Sequence, residues 1–151
     1  MKPILQPSKS IYYVGEAGCT LVHDWLCLAT DGKEYKIPAG FWFNGGSIPA
    51  AFWQATFTPF DMRVIHGFLF HDWAYSSHCC DKDTADLTLQ KIIDAEKLSV
   101  KGALVAAAVF AFGKSSWKLD ATDRLYMRQL RQIIIESGPN PSVYCLYPEP
   151  T

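Results

Sequence analysis

An α+β fold is expected from three features of the chain. Short β-prone runs broken by glycines occupy residues 10 to 43, a helix-start signature stands at Thr58-Pro59-Phe60-Asp61, and helix-spaced apolar residues fill most of the remaining chain. The expected order is an N-terminal antiparallel β-meander, then a mainly helical part. A chain of 151 residues reads as one domain, 1 to 151, and one of this size buries about 70% of its unfolded surface. Hydrophobic residues at 49% and aromatics at 14% exclude a disordered chain and call for an aromatic-rich core. The net charge is −1 without a basic stripe, so no nucleic-acid partner is expected.

The strands are expected at Ile11-Tyr12-Tyr13-Val14, Thr20-Leu21-Val22, Trp25-Leu26-Cys27-Leu28, Glu34 to Ile37 and Phe41-Trp42-Phe43. Gly15 and Gly18 separate the first runs, and Asp31-Gly32 is a hairpin turn signal. Asn44-Gly45-Gly46-Ser47-Ile48-Pro49 then forms a loop able to expose consecutive backbone amides or carbonyls. A helix is expected over about 59–77, with Thr58 as cap and Pro59 at its first position. A second, over about 83–97, carries Ala85, Leu89, Ile92, Ile93 and Glu96 at helical spacing and makes an αα-hairpin with the first. Residues 100–112 are apolar nearly all round, whereas 119–136 are charged and amphipathic. Residues 138–151 read as an extended tail anchored by Tyr144 and Tyr147.

The 100–112 run falls short of the roughly 20 apolar residues a membrane span needs, with Lys101 and Lys114 at its ends, so no transmembrane segment is expected. The N-terminus lacks a sustained apolar stretch, and Pro3 and Pro7 interrupt it, so no secretion signal is expected either. The five cysteines, without a CxxC spacing, fit a reducing compartment better than a disulfide framework.

Chemistry concentrates in His71-Asp72-Trp73-Ala74-Tyr75. One helix turn places His71 and Tyr75 on one face, with Asp72 rotated by about 100°. An antiparallel partner helix can bring Asp86 against the imidazole, fixing its tautomer and raising its basicity. His71 would then act as general base on a water, Tyr75 would bond to Asp86, and Asp72 would face a divalent cation. Carbonyl oxygens from Asn44, Gly45, Gly46 and Ser47 suit Ca2+ as that cation. The alternative is a satisfied hydrogen-bond network in His71, Asp72 and Asp86 that pins two helices together.

Two other chemistries fit less well. His66, His71, His78, Cys79 and Cys80 lie close in sequence, but their spacing is not that of a zinc site. Ser47 follows two glycines but lacks the GxSxG frame of a nucleophile elbow. Trp42, Phe52 and Trp53 read as core rather than a ligand platform.

Gly40-Phe41-Trp42-Phe43-Asn44-Gly45-Gly46-Ser47-Ile48-Pro49, then the HDxxY motif at His71, then Ala85-Asp86, resemble a small phage and prophage family known as domain of unknown function 1353. The resemblance covers roughly Tyr35 to Trp117 and implies no assigned activity. Asn44 stands where that family usually has Asp, which removes a charge from any cation site there. A fainter resemblance, limited to a handful of positions, is to secretory and viral phospholipases. It implies His71 as the water-activating base, Asp72 as calcium ligand, Asp86 as the group orienting His71, and Tyr75 in support. The cysteine-bridged calcium loop of those enzymes has no counterpart here.

Together these imply a phage-encoded protein with a hydrolase-like His-Asp centre, acting on an ester, acyl or lipid substrate with metal assistance. The competing class is a non-catalytic phage protein, either a virion or tail component or a host-directed inhibitor. Such a protein is expected in the cytoplasm of the infected bacterium or associated with the virion.

Overall fold

The structure is a computed structural model and describes residues 12–15, 18–43, 63–96, 117 and 121–137. The expected loop at 44–49, the helix at 100–112 and the tail at 138–151 lie outside the described residues. The described residues are α+β: five strands, β1 (Tyr12–Gly15), β2 (Gly18–Leu21), β3 (Trp25–Leu28), β4 (Glu34–Ile37) and β5 (Trp42–Phe43), precede α1 (Ile65–Ser77), α2 (Lys82–Ala95) and α3 (Ala121–Ser137).

The strands form two small antiparallel sheets, β1-β2-β5 and β3-β4, rather than one continuous meander. β5 returns to β2, pairing Cys19 with Phe43 and Thr20 with Trp42. Asp24 marks the break: its Oδ1 accepts from the Ala39 amide at 2.8 Å and its Oδ2 lies 3.5 Å from Lys36 Nζ. The side chain thereby ties the start of β3 to the end of β4, and the β3-β4 hairpin forms as a separate unit.

A tight turn connects β3 to β4. The Gly32 amide donates to the Ala29 carbonyl and the Ala29 amide to the Lys33 carbonyl, both at 3.0 Å, with Gly32 at φ +80°. The left-handed residue that closes it occupies a position where a side chain is strained. Asp31 caps the loop by accepting from the Lys33 amide at 3.0 Å and the Tyr35 hydroxyl at 2.5 Å.

Period-2 burial orients both sheets. Trp25, Cys27, Tyr35 and Ile37 point inward, as do Cys19, Leu21 and Phe43, while Leu26 and Trp42 face outward. Helix α1 covers the inner faces: Trp73 meets Phe41 edge-on at 5.1 Å between ring centroids, Phe70 lies 5.7 Å from Tyr35, and His66 meets Trp25 at 6.3 Å. Met127, Leu130 and Ile134 of α3 join the same core, and the Trp42 amide donates to the Tyr126 hydroxyl at 2.7 Å.

α1 starts at Ile65. Arg63 and Val64 form a turn, and Val64 caps the helix without a side-chain hydrogen bond. Residues 58 to 62, including the expected cap Thr58, lie outside the described residues. Its C-terminal end agrees with expectation, since His78 adopts φ 50° and its amide donates back to the Ala74 carbonyl at 2.8 Å. The N-cap of α2 is Asp81, whose Oδ1 accepts from the Thr84 amide at 2.7 Å. Mid-helix Thr88 is buried because its hydroxyl accepts from the Thr30 amide at 3.1 Å, docking the β3-β4 turn on α2.

Gly67 lets α1 and α2 approach closely. A Cβ there would lie 3.0 Å from both Leu89 Cδ1 and Ile92 Cδ1. Gly67→Leu is therefore expected to cost about 1–3 kcal/mol by overpacking, read as a lower urea midpoint at unchanged slope.

Candidate functional site

The αα-hairpin assembles the site through its spacing. Each turn of α1 adds about 5.4 Å, so His71 and Tyr75 stack along one face, their rings 4.1 Å apart and tilted by 32°. On α2, Asp86 sits opposite them, one turn beyond Lys82. Its carboxylate takes three donors: His71 Nε2 at 2.9 Å and the Tyr75 hydroxyl at 2.8 Å on Oδ1, and Lys82 Nζ at 2.5 Å on Oδ2. The Asp86 side chain is 1% exposed, that of His71 0% and that of Lys82 19%.

An ionised carboxylate only accepts hydrogen bonds, so the His71 nitrogen facing Asp86 carries the proton. The other ring nitrogen, Nδ1, is buried and has no hydrogen-bond partner among the described residues. A neutral His71 in this tautomer presents a bare lone pair at Nδ1. Burial pushes the Asp86 carboxyl up, but the bonds from His71, Lys82 and Tyr75 outweigh it and leave the group below its ordinary value. Burial and the bond to Asp86 push the Tyr75 phenol up, so it stays a donor.

Trp117 borders the cluster, edge-on to Tyr75 at 4.9 Å and stacked on His78 at 4.1 Å. His78 Nε2 lies 2.8 Å from the Trp117 carbonyl. This contact gives a non-glycine residue in the left-handed region an interaction that offsets its backbone cost.

Of the expected site residues, His71, Asp86 and Tyr75 come together. Asp72 follows His71 on α1 and is half-buried. Asn44, Gly45, Gly46 and Ser47 lie outside the described residues. Among the described residues no group of three or more His, Cys, Asp or Glu is placed to hold a metal ion. Asp72 is the one described member of the expected calcium set, and a single carboxylate does not make a calcium site, which takes six or more oxygens. The three histidines of α1 and its cap diverge: His66 meets Trp25, His71 meets Asp86 and His78 meets Trp117.

Lys82 is a site residue that motif reading passes over. Its signal is the i,i+4 spacing to Asp86 on one helix. Its ammonium also lies 6.0 Å from the centre of the Tyr75 ring.

His66 is a second buried histidine, with Nδ1 lacking a partner among the described residues. Burial lowers it from 6.5 to about 4. Below pH 6.5 the unfolded chain takes up a proton that the folded chain refuses until about pH 4. Stability is expected to fall across that window by up to about 3 kcal/mol, at about 1.4 kcal/mol per pH unit. In His66→Phe this loss should vanish, measured by urea unfolding at pH 7 and pH 5.

No described helix is long and apolar enough to cross a membrane. No curated protein and no solved structure matches the chain. Residues 20–109, which begin within β2 and extend past the end of α2, match the protein family of unknown function DUF1353. The match holds His71, Asp72, Tyr75, Lys82 and Asp86 in one segment, and the chain belongs to the DUF1353 family.

Proposed function

We propose that the chain is a hydrolase-like protein in which His71 activates water for attack on an ester or acyl carbonyl. The supporting observation is the way His71 is held: Nε2 is bound to Asp86 at 2.9 Å, and Nδ1 is left without a partner among the described residues. A general base needs one nitrogen oriented and a lone pair on the other that no hydrogen-bond donor has taken. In this role Nδ1 removes a proton from water as the oxygen attacks the carbonyl carbon, and the imidazolium later returns it to the leaving alkoxide. Asp86 stabilises the transient charge, and Tyr75 and Lys82 hold Asp86 in place. On the family resemblance, the protein is phage-encoded and works in the infected cytoplasm or within the particle.

Calcium enters this proposal through Asp72, joined by oxygens from Asn44 and Gly45. In a thermal unfolding titration, calcium is expected to raise the midpoint of the wild type over an EDTA control, since a ligand bound only by the folded state stabilises it. Asp72→Asn should lose that shift. An unchanged midpoint in the wild type would remove calcium from the proposal and leave the His71 centre standing. The hydrolase reading itself is tested by turnover of short-chain esters and phospholipid vesicles.

A second reading has its own observation. Asp86 is almost fully buried and meets three donors, so the cluster also pins α1 to α2. In that reading the protein is a non-catalytic virion component or a binder of a host protein, and the network serves the fold alone.

A further inference from the structure

Thr88 is a fully buried hydroxyl in the middle of α2 that the chemistry proposed at His71 does not use. Threonine is a poor helix former, and a buried hydroxyl is costly unless it is bonded. Its partner lies 58 residues away, just past the end of β3. The Thr30 amide donates to Thr88 Oγ1 at 3.1 Å, Thr88 Oγ1 donates to Thr30 Oγ1 at 3.3 Å, and Thr30 Oγ1 donates to the Thr84 carbonyl at 3.5 Å. Each hydroxyl accepts once and donates once, so the chain of bonds is directional.

Helix geometry sets this contact apart from the His71 site. At about 100° per residue, Thr84 and Thr88 share one face of α2, and Asp86 lies about 160° around the axis from both. The Asp86 face turns to α1, where the carboxylate meets His71 Nε2 at 2.9 Å and the Tyr75 hydroxyl at 2.8 Å. Hydrogen bonds of fixed geometry therefore hold α2 from opposite sides. Between them lies apolar contact, with Leu89 and Ile92 packed over Gly67. Apolar contact is non-directional and does not by itself fix the rotation of a helix.

We propose that Thr88, bonded to Thr30, is a positioning residue that sets the roll of α2 about its axis and with it the hydrogen bond between Asp86 and His71. Its bearing on catalysis rests on the reading of His71 as a general base. The anchor end is stiff: Asp31 accepts from the Lys33 amide at 3.0 Å and from the Tyr35 hydroxyl at 2.5 Å, and the Tyr35 ring packs 5.7 Å from that of Phe70 on α1. The β3-β4 turn thus reaches α1 one residue before His71 and α2 two residues after Asp86. On a helix about 10–12 Å across, a roll of about 10° carries a side-chain tip by about 1 Å. That displacement stretches the 2.9 Å bond out of hydrogen-bond range and releases the imidazole from the orientation a base requires.

The test compares the wild-type chain with Thr88→Val, which keeps the branched shape and removes the hydroxyl, and Thr88→Ser, which returns it. Proton NMR of the His71 Nε2–H at pH 7.5 reads the bond to Asp86 without a substrate. In Thr88→Val that proton should move upfield and exchange with water at least about threefold faster, and Thr88→Ser should restore it. Thr30→Val keeps the amide bond but loses the second hydroxyl, and should move the signal the same way by less. Ile134→Val, a truncation of a buried side chain in α3, controls for lost stability and should leave the signal in place. With a short-chain ester, Thr88→Val should lower kcat about 3–10-fold at unchanged KM. A signal unmoved in both Thr88→Val and Thr30→Val, moved equally by Ile134→Val, or not restored in Thr88→Ser would overturn the proposal. The expected shifts in a protein whose wild type turns over no ester would support the placing of Asp86 by Thr88 and overturn the general-base reading instead.

Discussion

Replacing Asp86 with alanine is expected to destabilise the protein by about 3–5 kcal/mol, the largest stability loss at any single site residue. The substitution strands the Nε2–H of His71 and the hydroxyl of Tyr75 in a buried setting and leaves the Lys82 ammonium without its carboxylate. The shared acceptor makes these losses one event, so the penalty exceeds that of a single hydrogen bond. Asp86→Asn should cost less, about 1–2 kcal/mol. Its amide oxygen can still accept from His71 and Tyr75, while Lys82 is exposed enough to turn toward solvent. Urea unfolding of the two variants at pH 7 checks the ordering.

The pH dependence separates Asp86 from His66. Asp86 is lowered from 3.8, so its contribution is complete above that value and is lost as pH falls through its folded-state value. The loss between pH 6.5 and about 4 belongs to His66, which folding keeps neutral. Asp86→Asn should therefore retain the sensitivity between pH 7 and 5 that His66→Phe removes.

His71→Gln is expected to lower ester hydrolysis by about 10²–10⁴-fold while leaving the fold intact. The terminal amide of glutamine can donate to Asp86 from the place of Nε2, the nitrogen bonded at 2.9 Å. It has no basic nitrogen at the place of Nδ1. The melting temperature should stay within a few degrees of wild type, since the lost ring contact with Tyr75 is the main packing change. If the cluster serves only as a pin between helices, Asp86→Ala will still be destabilising and His71→Gln will change no activity.

Much of the fold was legible because local signals agreed with tertiary structure. The β-prone runs and Asp31-Gly32 placed the five described strands near their observed positions, and burial alternates along β3 and β4 as a half-buried strand requires. The sheet pairing was not legible. That β5 joins β2 depends on contact across more than twenty residues and on the Asp24 tie between β3 and β4. The start of α1 is hidden for a different reason. Nearly every residue from Val64 to Tyr75 is buried, so no apolar stripe marks a helix face, and the Thr58-Pro59 signature lies outside the described residues.

At the candidate site, one-turn spacing brought His71 to Tyr75 and an antiparallel partner brought Asp86 to both, as the motif order suggests. Lys82 is easily passed over because a lysine at the start of a helix usually reads as a solvated surface charge, although its i,i+4 relation to Asp86 is present. The buried, neutral character of His66 depends on Trp25 and on β3, neither adjacent in sequence.

Everything proposed for His71 turns on which of its nitrogens carries the proton. Long-range ¹⁵N–¹H correlation spectra of the folded wild type at pH 7.5, assigned with His71→Gln, read this directly. The expected result is a His71 ring protonated at Nε2 with Nδ1 bare, a pattern that Asp86→Asn weakens. A His71 ring protonated at Nδ1, or at both nitrogens at that pH, would contradict the account, because the nitrogen turned away from Asp86 would then have no lone pair with which to activate water.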